Sequence, residues 1–198
     1  MIETIISWAA VALVAVTATG LLLAQDWRWS LGLLGAQYLG AAVLATQHWP
    51  LGMAAAKLVA GWMATAALGM TLTATAERTE TPEGGWPQGR TFRILMAGMV
   101  FVLAGVLTPR VENVITGVGA PVIAGTIILI GLGWLQLGSS GHVPRIIIGL
   151  LTVLAGFETF YAAVESSILV AGLLAVVTLG LGLVGAFLLI SPTAEDTR

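Results

Sequence analysis

The chain has 198 residues, 58% of them hydrophobic and only 9% charged, against ~25% charged in ordinary soluble domains; a water-soluble fold is excluded because it could not cover so much apolar surface. Its 8 Lys+Arg and 10 Asp+Glu leave a formal net charge of −2, which lacks the cationic excess of a nucleic-acid binder or of a polybasic protein at a membrane surface. Cysteine is absent and the imidazoles are two, His48 and His142, so disulfides, thiolate metal sites and iron–sulfur ligation are excluded, and no cofactor is expected.

In chain order, apolar runs at 4–24, 30–48, 51–74, 114–137, 143–164 and 167–190 are long enough to cross a ~30 Å hydrocarbon core, which takes ~20 helical residues. The opening Met1-Ile-Glu-Thr has no positive n-region and no small-residue cleavage site follows, so the first run reads as a retained helix. The stretch 76–91 mixes charges with Pro82, Gly84, Gly85 and Pro87 and reads as a solvated cytoplasmic loop. A weaker run at 92–109, whose uninterrupted apolar part is Ile94–Leu107, is short for a span and reads as a linker helix. Pro121 falls inside the expected fifth helix and predicts a kink there.

These runs predict an all-α integral membrane protein, a seven-transmembrane-helix bundle in a single membrane domain over 1–198. It comprises an N-terminal three-helix unit over 1–75, the loop, the linker helix, and a C-terminal three-helix unit over 114–192. With the N-terminus outside and the C-terminus cytoplasmic, the inner segments carry Arg28, Arg78, Arg90, Arg93, Arg145 and Arg198, and the outer loops carry only Arg110; the positive-inside rule selects this topology. A faint internal repeat lays Arg28/Gly32/Leu33/Leu34 on Arg145/Gly149/Leu150/Leu151, giving a 3+1+3 layout of parallel triplets.

Ionisable side chains within hydrocarbon cost roughly 2.5–3.5 kcal/mol on insertion scales and usually face the bundle interior. Glu158 lies 13 residues beyond Arg145, about 20 Å from the cytoplasmic end of its helix. Lys57 lies 7 residues past Pro50, about 10 Å in from the outer face. Their depths are similar, which does not make their helices face each other. Two readings stay open: a proton-exchanging Glu158 switched by movement of a partner charge, or a static pair that fixes register, with Lys57 alternatively snorkelling outward.

Glu165 shares nearly the same helix face as Glu158 and is a candidate relay group, although its neighbours Ser166-Ser167 suggest a solvated helix end. Gln37, near mid-membrane, is a candidate pathway residue or an interhelical hydrogen bonder. Thr152, Thr159 and Thr178 are expected to bond carbonyls of their own helices, and His48 to sit at the outer interface. Gly32 and Gly40, Gly61 and Gly69, and Gly149 and Gly156 are expected to allow close helix approach.

The last three runs have a recognisable order: a helix through Gly131-Leu132-Gly133, a basic turn at Pro144-Arg145, a helix holding Gly156-Phe157-Glu158, then Ala171–Ile190, rich in Leu and Gly. This resembles the three-helix K subunit of NADH:quinone oxidoreductase (complex I) and the related small subunit of Mrp-type cation/proton antiporters. With four helices in front, the whole resembles component E of hydrogenase-4. The resemblance implies a subunit without an active site of its own, held by antiporter-like and complex I-like membrane chains in a prokaryotic inner membrane. It also implies that Glu158 belongs to the buried ionisable groups that couple redox chemistry to proton transfer, and that Arg145 forms the cytoplasmic basic turn. Ile168–Ile190 lacks the second acidic residue usual in the family's last helix, a gap that Lys57 could fill from the other half. A 3+1+3 carrier resembling the SWEET sugar transporters, with Gln37, Lys57 and Glu158 lining its cavity, and a structural scaffold are the alternatives.

Overall fold

The computed structural model describes residues 2–24, 26–75, 89–115, 117–139 and 142–190. Seven helices follow one another: α1 (Ile2–Leu23), α2 (Trp27–Ala45), α3 (Leu51–Thr75), α4 (Arg90–Val114), α5 (Ala120–Ser139), α6 (Val143–Val164) and α7 (Ile168–Ile190). No strand occurs among the described residues. All but α2 are long and apolar enough to cross a membrane, and the chain is a multi-pass helical membrane protein. The loop expected at 76–91 lies outside the described residues except for its last three, Gly89 leading into the first turn of α4.

Two expectations are corrected. The weaker run at 92–109 extends at both ends into the 25-residue α4, roughly 37 Å long. The helix continues through Pro109 to Val114; in an apolar medium, losing the one hydrogen bond that a proline cannot make costs less than stranding the peptide groups of a whole helix end. The fifth helix starts at Ala120 rather than 114, which puts Pro121 in its first turn, where a missing N–H has no helical acceptor to lose. The expected mid-helix kink therefore has no place.

The span that falls short by hydropathy is α2, whose mid-helix polar residues Gln37 and Tyr38 are turned inward. Leu34, Gln37, Tyr38, Ala41 and Leu44 are fully buried, because α2 packs against α1, α3, α5 and α6. The bundle forms two facing rows, α1-α2-α3 and α5-α6-α7, in which α1 touches α5, α2 touches α6 and α3 touches α7. Helix α4 packs on α5 and α1 and closes that end of the rows. One apolar core gathers Val14, Leu44, Val100, Leu129 and Leu132 from α1, α2, α4 and α5. A second gathers Leu34, Tyr38, Leu68, Ile148, Leu151 and Ala155 from α2, α3 and α6.

Small residues set the helix spacing where dispersion rather than water expulsion holds helices together. A Cβ on Gly40 would lie 2.8 Å from Val14, one on Gly156 2.8 Å from Leu129, and one on Gly182 2.8 Å from the Ala64 backbone. Gly32, by contrast, faces open space and makes no helix contact, contrary to expectation.

The helix ends are tied by long side chains. Arg145 donates to the carbonyl of Ala24 at 2.9 Å and Arg93 reaches that of Leu22 at 3.5 Å, so the starts of α6 and α4 supply partners for the unpaired carbonyls at the end of α1. At the opposite end, Trp49 Nε1 donates to the Glu165 carbonyl at 2.9 Å. His48 Nε2 lies 3.2 Å from the carbonyl of Gly117, which has φ +102° and so a backbone that suits glycine.

Candidate functional site

Lys57 and Glu158 meet. Lys57 is six residues into α3, roughly 9 Å from the helix start, and Glu158 is six residues before the end of α6, at a matching depth. Their side chains are 4% and 3% exposed, and Lys57 Nζ stands 3.2 Å from Glu158 Oε2. An isolated ion at this depth would cost several kcal/mol; opposite charges in contact remove most of that penalty only if their remaining polar atoms also find partners.

Those partners come from α6 and α7. Lys57 Nζ donates to the Ala155 carbonyl at 3.1 Å and to Thr159 Oγ1 at 3.2 Å. Thr159 in turn donates its own proton to the Ala155 carbonyl at 2.7 Å, which leaves its oxygen lone pairs for the ammonium. From α7, Thr178 donates to Glu158 Oε1 at 2.7 Å. The second carboxylate oxygen, Oε2, has no aligned hydrogen-bond donor, so its contact with the ammonium is an ion pair without a directed N–H. Three helices thus converge on one carboxylate and one ammonium.

A smaller polar group lies deeper, on α2. Gln37 Nε2 donates to Thr152 Oγ1 at 3.2 Å, and Thr152 to the Ile148 carbonyl at 2.8 Å. Thr152 is six residues before Glu158 on α6, roughly 9 Å along the helix, so Gln37 is in the same interior but not in contact with the ion pair. Tyr38 sits between the two groups. It packs with Ala155, and its ring fills the notch left by Gly61. The Tyr38 hydroxyl and Gln37 Oε1 are both buried without a partner, and at such positions one internal water commonly completes the bonding.

The remaining candidates are elsewhere. Glu165 caps the end of α6, is exposed, and its Oε1 accepts from the Ser166 N–H at 3.1 Å; the structure does not bring it to the pair. Arg145 lies at the far end of α6. Thr152 and Thr159 bond their own helix carbonyls as expected, whereas Thr178 turns to Glu158 instead. Tyr38 is the residue that the sequence reading missed, and Thr178 is the one whose partner it misassigned. The signal for Thr178 was present, since it is the one polar side chain between Ile168 and Ile190. Gln136 of α5, also unanticipated, is 4% exposed and reaches the Ala18 carbonyl at 3.4 Å.

Chemically, the arrangement holds one exchangeable proton on Lys57, one carboxylate, and hydroxyls oriented to favour the charged form of each, in a region closed off by close-packed helices. Comparison with protein-family models, with curated proteins and with solved structures finds no match to this chain.

Proposed function

We propose that the chain is a non-catalytic membrane-arm subunit of a complex I-like, group 4 hydrogenase-like or Mrp-like assembly, in which Glu158 takes part in proton translocation or its coupling. The observation that carries this reading is the buried Lys57–Glu158 pair at 3.2 Å: a carboxylate whose charge is balanced by one movable side chain can be switched by displacing that side chain. Apolar surface such as Leu95, Met99 and Val102 of α4, or Leu169, Leu173 and Val176 of α7, supports a chain that shares the membrane with lipid and with other helices. Two finer features belong to the same proposal. Arg28, Arg90, Arg93 and Arg145 all lie at the end of the bundle opposite Arg110, which favours an outside N-terminus in a prokaryotic inner membrane. The pairing of α1 with α5, α2 with α6 and α3 with α7 is what two parallel triplets joined by α4 would make.

The carrier alternative is weaker on this geometry. Lys57 and Glu158 neutralise each other and Gln37 is bonded to Thr152, so the three do not line a shared solute cavity. A scaffold keeps one point in its favour, since a well-satisfied pair also fixes helix register. The test is purification from mild detergent with measurement of proton translocation in membrane vesicles. Glu158→Gln is expected to abolish translocation while the chain still co-purifies with its partners. A lone chain without partners, or unchanged pumping in Glu158→Gln, overturns the proposal.

A further inference from the structure

We infer that the end of the bundle where α1 finishes carries a binding site for the phosphate of an anionic phospholipid headgroup, built from Arg93 and Arg145. Two guanidiniums from two different helices are gathered round one chain end: Arg145 of α6 donates to the Ala24 carbonyl at 2.9 Å, and Arg93 of α4 reaches the Leu22 carbonyl at 3.5 Å. A helix C-terminus carries only about half a negative charge, so one cation would neutralise it and the second is in excess. Asp26 is the one carboxylate among the described residues at this end, and Arg28 and Arg90 more than offset it. The opposite end holds Glu3, Glu112 and Glu165 against Arg110.

Between these groups the helices leave a small cleft. Leu21 and Leu22 of α1, Ser30 of α2, Gln136 of α5, and Arg145 and Ile148 of α6 line it. It has room for about one water-sized group, which admits one phosphate oxygen and not a whole headgroup. The rest of the ligand therefore stands at the mouth. Arg145 is the third residue of α6 and Arg93 the fourth of α4, roughly 3–5 Å from the helix starts, which is headgroup level. Donors on one side only suit a phosphodiester, whose two esterified oxygens carry no charge to satisfy. Its two charged oxygens match the fork of a guanidinium.

The wall beside the site suits acyl chains. Phe92 and Leu95 flank Arg93 on α4, Ile146 follows Arg145 on α6, and all three are exposed, as is Trp134 of α5. Basic pockets between helices at a membrane surface recognise anionic lipid heads in this way. A zwitterionic lipid would bring its own ammonium into a region already rich in cations, so the net charge of the lipid decides.

The full-length chain, purified in detergent, tests this by thermal unfolding in micelles doped with phosphatidylglycerol or with phosphatidylcholine, and in lipid-free micelles with inorganic phosphate. The expected result is a saturable rise of several degrees in the unfolding midpoint with phosphatidylglycerol over phosphatidylcholine, lost in Arg93→Gln/Arg145→Gln and kept in Arg110→Gln at the opposite end. Equal midpoints in the two lipids, or a rise that survives Arg93→Gln/Arg145→Gln, overturns the inference. So does an equal rise with inorganic phosphate, which would make the site one for a soluble anion. If the double variant yields no folded protein, Arg93→Lys/Arg145→Lys, which keeps both charges without the forks, is measured in its place. It should need several-fold more phosphatidylglycerol for half the rise, and an unchanged requirement overturns the inference. The readout is lipid binding by the isolated chain, so its outcome is separate from the role proposed for Glu158.

Discussion

The ring of Tyr38 on α2 occupies the notch that Gly61 leaves on α3, and no Cβ fits between them. Gly61 is one turn beyond Lys57 on the same helix face, so this contact sets how α2 and α3 approach beside the ion pair. Gly61→Ala is therefore expected to lower stability by about 1–3 kcal/mol, the usual cost of overpacking a filled interior. Thermal unfolding in detergent should show the loss, and Tyr38→Leu should relieve it in the double variant. Gly32→Ala, where the added methyl meets open space, serves as the control and should leave the midpoint unchanged or slightly raised.

The ion pair predicts a non-additive result. Removing one member, as in Lys57→Met or Glu158→Leu, leaves an uncompensated buried charge and should cost roughly 3–5 kcal/mol. Lys57→Met/Glu158→Leu leaves no charge behind and should recover most of that loss. A double-mutant cycle by chemical or thermal unfolding checks it. Additive losses would mean that the two side chains do not interact as the structure has them. Stability recovered without recovered proton translocation separates the coupling role from a scaffold role.

How much of this was legible in the sequence follows from what each feature depends on. Helices α1, α3, α6 and α7 were readable within a few residues because lipid demands long apolar runs, a requirement local to each segment. The extents of α4 and α5 were misjudged at Pro109 and Pro121, where proline ends a helix in water but is carried through, or absorbed into a first turn, in an apolar setting. The depths of Lys57 and Glu158 came from counting residues. Their contact could not, because azimuth around α3 and α6 is set by packing of residues far apart in the chain, such as Gly182 of α7 on Ala64 of α3. Thr178 was noted but assigned to its own helix, since a lone hydroxyl has a backbone acceptor everywhere it points until a carboxylate is known to face it.

That assignment is testable. Thr178→Val keeps the shape and removes the donor to Glu158 Oε1, leaving a buried carboxylate oxygen short of a bond, and should cost about 1–3 kcal/mol. Thr108→Val removes a hydroxyl that only bonds the Ala104 carbonyl of its own helix at 2.6 Å, an oxygen already engaged in the helix ladder, and should cost well under 1 kcal/mol. Thr178→Ser should resemble the native chain. Equal effects at the two positions would show that Thr178 makes no special contribution to the pair.

The span of α4 and the orientation of the whole bundle can be read with one reagent. Because the native chain contains no cysteine, single cysteines can be placed without background at Arg90 and Glu112, both exposed and near opposite ends of α4. The two positions are 22 residues apart, roughly 33 Å along a helix, enough to place them on opposite sides of the ~30 Å hydrocarbon core. With the N-terminus outside, a membrane-impermeant thiol reagent applied to intact cells should label Glu112→Cys at once and Arg90→Cys only after permeabilisation. Labelling of both from outside would mean that α4 lies along the surface, as the short apolar stretch Ile94–Leu107 allows. The reverse pattern would keep the span but place Arg28, Arg93 and Arg145 outside, against the charge bias that orients short-looped membrane proteins, and the inside–outside assignment of the Lys57–Glu158 pair would then be inverted with it.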